Sequence, residues 1–190
     1  MREAIARAYA DAVAALQRMA GQDPAPVVAA IEATVAALAN GGKVLAFGNG
    51  GSAADAQHFA AEFVARYACP RRALPAVALT ADTSVLTAVG NDLGYERVFA
   101  RQIEALGRAG DVAVGISTSG RSANVLRAIE AARAAGLMTI ALTGGDGGPI
   151  GRAADIHVNV PESSTPLVQQ VHRTILHVMC ELVEERTGRQ

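Results

Sequence analysis

The sequence predicts an α/β fold: a doubly wound, five-stranded parallel sheet with helices on both faces, preceded by N-terminal helices. Three observations predict it. Short apolar runs alternate with helical stretches from residue 44 onward, the pattern of parallel strands joined by helical crossovers. The middle runs are apolar without period-two alternation, as strands covered on both faces are. Two strand-to-helix junctions carry similar loops of small residues, where the ligands of such sheets bind. These are Phe47-Gly48-Asn49-Gly50-Gly51-Ser52 and Ser117-Thr118-Ser119-Gly120-Arg121-Ser122.

The elements follow in order. Residues 2–19 and 24–38 read as helices. Ile5, Ala8, Tyr9, Ala12, Leu16 and Met19 keep helical spacing in the first. Asp23-Pro24 opens the second and Asn40-Gly41-Gly42 closes it. Strands are expected at 44–47, 76–79, 112–116, 138–142 and 156–160. Helices are expected at 53–66, 83–106, 123–135 and 167–185. In the helix at 123–135, Val125, Leu126, Ile129 and Ala132 form one apolar side and Gly136 ends it. Thr143-Gly144-Gly145-Asp146-Gly147-Gly148-Pro149 reads as a mobile turn. The 190 residues fit a single domain, 1–190, with an N-terminal helical extension over 1–40.

Composition excludes several functions. A formal net charge of −1 argues against a nucleic-acid grip, and 4% aromatics without Trp argues against base stacking. No apolar run spans a membrane, and the N-terminus does not open a secretion signal. Cys69 and Cys180 lack metal-ligand spacing and read as reduced thiols of a cytoplasmic protein.

The two loops suit a phosphate. Glycine lets backbone approach a ligand, and a helix N-terminus offers unpaired N–H groups and partial positive charge. Ser117, Thr118, Ser119 and Ser122 add hydroxyls. Neither loop has the dinucleotide fingerprint or the P-loop lysine, which disfavours NAD and ATP. On the helix at 53–66, His58 and Glu62 share a face away from the stripe of Ala53, Ala56, Phe59, Ala60, Phe63 and Val64. That spacing suits a metal, an acid–base pair, or a solvated face with Glu62 pairing to Arg66, and the helix alone favours the last. On the last helix, Val168, Val171, Ile175, Leu176, Val178, Met179, Leu182 and Val183 form a broad apolar side, and His172 within it reads as a core histidine. Gln169, Arg173 and His177 form a separate strip. Asn91-Asp92-Leu93-Gly94 is a turn signal on the loop side of the sheet.

Taken together, Gly48-Asn49-Gly50-Gly51-Ser52, His58-Phe59-Ala60-Ala61-Glu62, Asn91-Asp92, Ile116-Ser117-Thr118-Ser119-Gly120 and Gln169…His172…His177 resemble the phosphoheptose isomerases. These are sugar isomerase (SIS) domain enzymes of flavodoxin-like architecture. They interconvert sedoheptulose 7-phosphate and D-glycero-D-manno-heptose 7-phosphate through an enediol. The resemblance implies that Ser117, Thr118, Ser119 and Ser122 hold the phosphate. It places Asn49, Gly50, Gly51, Glu62, Asn91, Asp92 and Gln169 on the sugar, with Glu62 as base and His177 as acid–base partner. It implies one zinc ion per site on His58, Glu62, Gln169 and His177, and a homotetramer with sites at subunit interfaces. The product would feed heptose synthesis for lipopolysaccharide. Whether Glu62 is ligand, base or both stays open.

The chain departs from the family at three positions. Leu167 stands where Arg is common, Gln170 where Glu is common, and Arg121 where the phosphate loop commonly has Asn. The first loses a cation near the site, and Arg121 is expected to restore one. Two alternatives accompany this reading. One is a non-catalytic SIS-domain regulator of replication initiation, which would lack the acid–base pair. The other is an isomerase or ether-cleaving enzyme of another phosphosugar.

Overall fold

In the computed structural model, which describes residues 1–188, five parallel strands lie in the order β2-β1-β3-β4-β5. They are β1 (Val44–Gly48), β2 (Ala76–Ala78), β3 (Val112–Ser117), β4 (Met138–Gly144) and β5 (Ile156–Val160). The helices are α1 (Arg2–Ala20), α2 (Ala25–Ala39), α3 (Gly51–Val64), α4 (Thr83–Leu93), α5 (Ala100–Leu106), α6 (Ala123–Ala134), α7 (Gly148–Ala153) and α8 (Thr165–Thr187).

Alternate strand residues feed two separate cores. Val44, Ala46, Val114, Ile116, Ile140, Leu142, Val158 and Val160 pack under α2, α3 and α8 with Ile31, Phe59, Phe63 and Met179. Leu45, Phe47, Ala113 and Ala141 pack on the other face against Val98, Phe99, Ile103, Val125, Ile129 and Ile150. Both faces are covered, so the strands need no polar alternation. Each large side chain buried this way contributes about 1.5–3 kcal/mol.

The chain leaves β1 for the edge strand β2, then returns across β1 to β3. That reversal opens a crevice at the strands' carboxyl ends. Gly48 is in register with Ile116, so the loop after β1 and the loop after β3 emerge side by side.

Two expected segments differ. Residues 83–106 are not one helix: Gly94, at φ 91°, stops α4, and a single 3-10 turn (Tyr95–Arg97) separates it from α5. The positive φ is a conformation glycine adopts without strain. The stretch after β4 is a held loop that starts α7. Gly145 N–H donates to Glu162 O at 2.8 Å, Asn159 Nδ2 donates to Gly145 O at 2.9 Å, and Asp146 Oδ1 accepts from Gly148 N–H at 3.1 Å. No described helix is long and apolar enough to cross a membrane.

Candidate active site

The loop after β3 is a cluster of hydroxyls. Ser117 is buried, and its Oγ lies 3.1 Å from Ser122 Oγ and 3.5 Å from Ser119 Oγ. Ser119 Oγ accepts the Arg121 N–H at 3.2 Å. Thr118 is half-buried beside them. Ser122 is the N-cap of α6, yet its hydroxyl caps no N–H of that helix. The helix N-terminus and its hydroxyls are therefore available to an anion. Gly120 has φ 64°, and a Cβ there would sit 2.2 Å from Gly147 O, so the loop after β4 presses directly on this one. The same two loops are joined by Arg121 Nη2 and Asp146 Oδ2 at 2.6 Å. The Gly148 N–H, and then Arg121, hold the Asp146 carboxyl below its ordinary range. Arg121 thus does bring charge to this loop, but Asp146 meets it.

The glycine loop after β1 is tied to the serine loop by an amide pair. Asn49 Nδ2 donates to Asn124 Oδ1 and Asn124 Nδ2 donates to Asn49 Oδ1, both at 2.8 Å. Asn124 is buried, and its Oδ1 also accepts the Val125 N–H at 2.9 Å. Tyr95 Oη donates to Asn49 Oδ1 at 3.2 Å. Asn91 and Asp92 sit exposed in the last turn of α4, with Asn91 Nδ2 donating to Asp92 Oδ1 at 2.7 Å. Gly50, at φ 55°, turns the chain into α3, and Gly51 is its first residue.

The polar strips of α3 and α8 face each other in parallel register. Gln169 lies on Gly51, Arg173 pairs with Asp55, and His177 meets His58. His58 Nε2 is 2.9 Å from His177 Nε2 and 3.4 Å from Glu62 Oε1. Glu62 and His177 therefore approach the same nitrogen. Arg66 turns to Ala68 O at 3.2 Å, so the solvated Glu62–Arg66 pair is not formed. His172 is in the core as expected. Its Nε2 donates to Thr143 O at 3.0 Å, Nδ1 finds no partner among the described residues, and burial holds the imidazole below its ordinary pKa.

Beyond the strips, Glu184 and Arg71 fix the end of α3. The Glu184 carboxylate accepts the N–H groups of Tyr67, Ala68 and Cys69 at 2.7–2.8 Å and Arg71 Nε at 3.0 Å. Arg71 then donates to Glu62 O at 2.7 Å and Phe63 O at 2.8 Å. Burial raises the Glu184 pKa, but these donors outweigh it and hold the carboxyl below its ordinary range.

Residues 8–144 match the SIS domain family. A phosphoheptose isomerase from Geotalea daltonii is 56% identical over 167 residues, which is 87% of either chain. The chain belongs to the phosphoheptose isomerase family. The solved phosphoheptose isomerase GmhA from Neisseria gonorrhoeae matches with a TM-score of 0.91 at 48% identity, covering 97% of this chain and 98% of that one. The phosphoheptose isomerase from Francisella tularensis matches with a TM-score of 0.93 at 38% identity, covering 96% and 97%.

Within this phosphoheptose isomerase fold, the residue types on the two strips fit a zinc ion. The imidazoles of His58 and His177 and the carboxylate of Glu62 are its ordinary nitrogen and oxygen ligands, and the two histidine Nε2 atoms point at one another, while Gln169 stands two turns away on Gly51 and Asp55. Among the described residues, no three His, Cys, Asp or Glu side chains stand in a ready-made metal cluster. Four supporting residues escape the motif reading: Asp55, Arg71, Asn124 and Glu184. Two left a signal. Asp55 falls on the helical line of Phe59 and Phe63, and Glu184 follows Cys180 at one turn on the apolar side of α8. A charge in an apolar line marks a buried partner.

Proposed function

We propose that this chain converts sedoheptulose 7-phosphate to D-glycero-D-manno-heptose 7-phosphate, with Glu62 and His177 handling the protons. As a phosphoheptose isomerase family member the chain is an aldose–ketose isomerase acting on a phosphosugar. One observation carries the residue assignment: Glu62 and His177, from different helices, both approach His58 Nε2.

The phosphate rests on Ser117, Thr118, Ser119, Ser122 and the start of α6. The sugar runs from there across Asn49, Gly50 and Gly51, with Asn91 and Asp92 on its flank. At the far end, Glu62 takes the proton from C1 of the ketose. The electron pair forms the enediol, the proton on Glu62 exchanges with solvent, and Glu62 delivers a proton at C2. His177 gives a proton to the C2 oxygen and takes the one leaving the C1 oxygen, so the exchange is redox-neutral. Well-placed acids and bases contribute about 10²–10⁴ in rate each. Zinc held by His58, Glu62, Gln169 and His177 would polarise the C1 and C2 oxygens. His58 then keeps its neighbours together and leaves proton transfer to them.

A homotetramer fits the surface. Ile5, Tyr9, Val13 and Leu16 form an exposed stripe along α1, being 51%, 72%, 53% and 38% exposed. Val178 and Leu182 on α8 are also partly exposed, although the periodicity places them inside. A contiguous apolar face of this kind is buried in an assembly, here by further copies of the chain.

The test is turnover of sedoheptulose 7-phosphate against a panel of other ketose phosphates, with wild type and His177→Gln. The proposal expects the heptose to lead the panel and His177→Gln to lose at least 100-fold in kcat. Preference for another ketose phosphate would reassign the substrate, and full activity in His177→Gln would remove its role.

A further inference from the structure

We infer that Asp55 is a positioning residue that orders the Gln169 amide and the Arg173 guanidinium, so that α8 presents its strip to the reacting end of the sugar. The inference rests on the isomerase reading of the site. Asp55 is 1% exposed in its side chain, three residues before His58 and seven before Glu62 on α3. A carboxylate so deeply buried is costly unless it is fully engaged. Asp55 Oδ1 accepts Arg173 Nε at 3.1 Å and Nη2 at 2.8 Å, while Oδ2 faces Gln169 Nε2 at 3.5 Å.

The consequence lies in the amide. An ionised carboxylate only accepts hydrogen bonds, so it dictates that the nitrogen end of Gln169 turns toward it. The oxygen end is left for whatever enters the site, a sugar hydroxyl or a metal. Gly51 makes the arrangement possible, because a Cβ there would fall 1.8 Å from Gln169 Nε2. The amide nitrogen is thus confined between the first turn of α3 and the Asp55 carboxylate. Arg173, one turn further along α8, is held by the same carboxylate. It sets a cation on the strip, where Leu167 provides none.

The test exchanges the two groups. Asp55→Asn and Gln169→Glu are made singly and together, and kcat/KM and the thermal midpoint of the metal-free protein are measured for each. Asp55→Asn alone lowers kcat/KM about 10–100-fold, the usual cost of losing an outer partner of a site ligand. Gln169→Glu alone sets two carboxylates face to face and costs more. The double variant restores one carboxylate facing one amide. It should therefore exceed Gln169→Glu in both kcat/KM and midpoint, whereas unlinked residues would compound their losses.

Should Gln169→Glu fail to fold, the Gln169 side-chain NH₂ signal decides. Its exchange with solvent should quicken in Asp55→Asn, and an unchanged rate overturns the inference. Compounding losses in both readouts overturn it as well. A wild type inactive on every sugar phosphate removes the isomerase reading instead, and the midpoints of the metal-free variants still judge Asp55.

Discussion

Glu62 and Arg121 show how much a single residue's neighbours change its meaning. On its own helix Glu62 is a surface carboxylate four residues from an arginine. In the folded chain, Arg66 turns away and Glu62 stands beside His58, opposite His177. Sequence spacing gave the shared face of His58 and Glu62. It could not show that α8 would bring His177 there, because that contact spans 119 positions. Arg121 was legible as a cation in the phosphate loop, but its pairing with Asp146 was not, since the residues after β4 read as a mobile turn. On the proposed reading, a phosphate on the serine loop would compete with Asp146 for that guanidinium. Arg121→Asn should therefore raise KM for the phosphorylated ketose severalfold and leave kcat nearly unchanged. An unchanged KM would show that the arginine serves only Asp146. Asp146→Asn frees the guanidinium and should lower KM.

At the scale of elements, the account depends on α3 and α8 staying in register. Gly51, Asp55 and His58 meet Gln169, Arg173 and His177 in turn, and Glu184 with Arg71 closes the far end. Glu184→Gln leaves Arg71 buried and short of its anion, a loss of about 3–5 kcal/mol for a broken buried pair. Denaturant unfolding should show it as a lower midpoint. The pH dependence has a definite sign. The folded pKa of Glu184 lies below its ordinary 4.5, so its stabilisation is complete above that value and is lost as pH falls through the folded pKa. The wild type should lose stability below about pH 4.5 more steeply than Glu184→Gln, and parallel acid limbs would contradict this. Strand positions and most helices were readable from apolar runs and glycine stops. The turn signal at Asn91-Asp92-Leu93-Gly94 marked the break, but the expected helix ran through it to residue 106 because residues on both sides keep helical composition. Nor was α7 readable, six residues long, behind three glycines and opening on a fourth.

For the whole molecule, strand order is the decisive arrangement. Placing β1 between β2 and β3 sets the glycine and serine loops side by side, and the Asn49–Asn124 amide pair joins them. The alternation of strands and helices foretold the parallel sheet, and resemblance to a family supplied the site. Neither reported which side chains brace it. The exposed stripe on α1 belongs to the same scale. Tyr9→Glu should dissociate the proposed homotetramer toward the mass of the 19.5 kDa chain in light scattering, and an unchanged mass would place the contact elsewhere. The central claim is that Glu62 moves a carbon-bound proton at the end of a phosphate-anchored ketose. Its most direct measurement follows sedoheptulose 7-phosphate in deuterium oxide by NMR, with wild type and Glu62→Gln. The account predicts that wild type forms the aldose and places deuterium at C1 and C2, while Glu62→Gln does neither at more than about a hundredth of the rate. Deuterium entering at the wild-type rate in Glu62→Gln would contradict it.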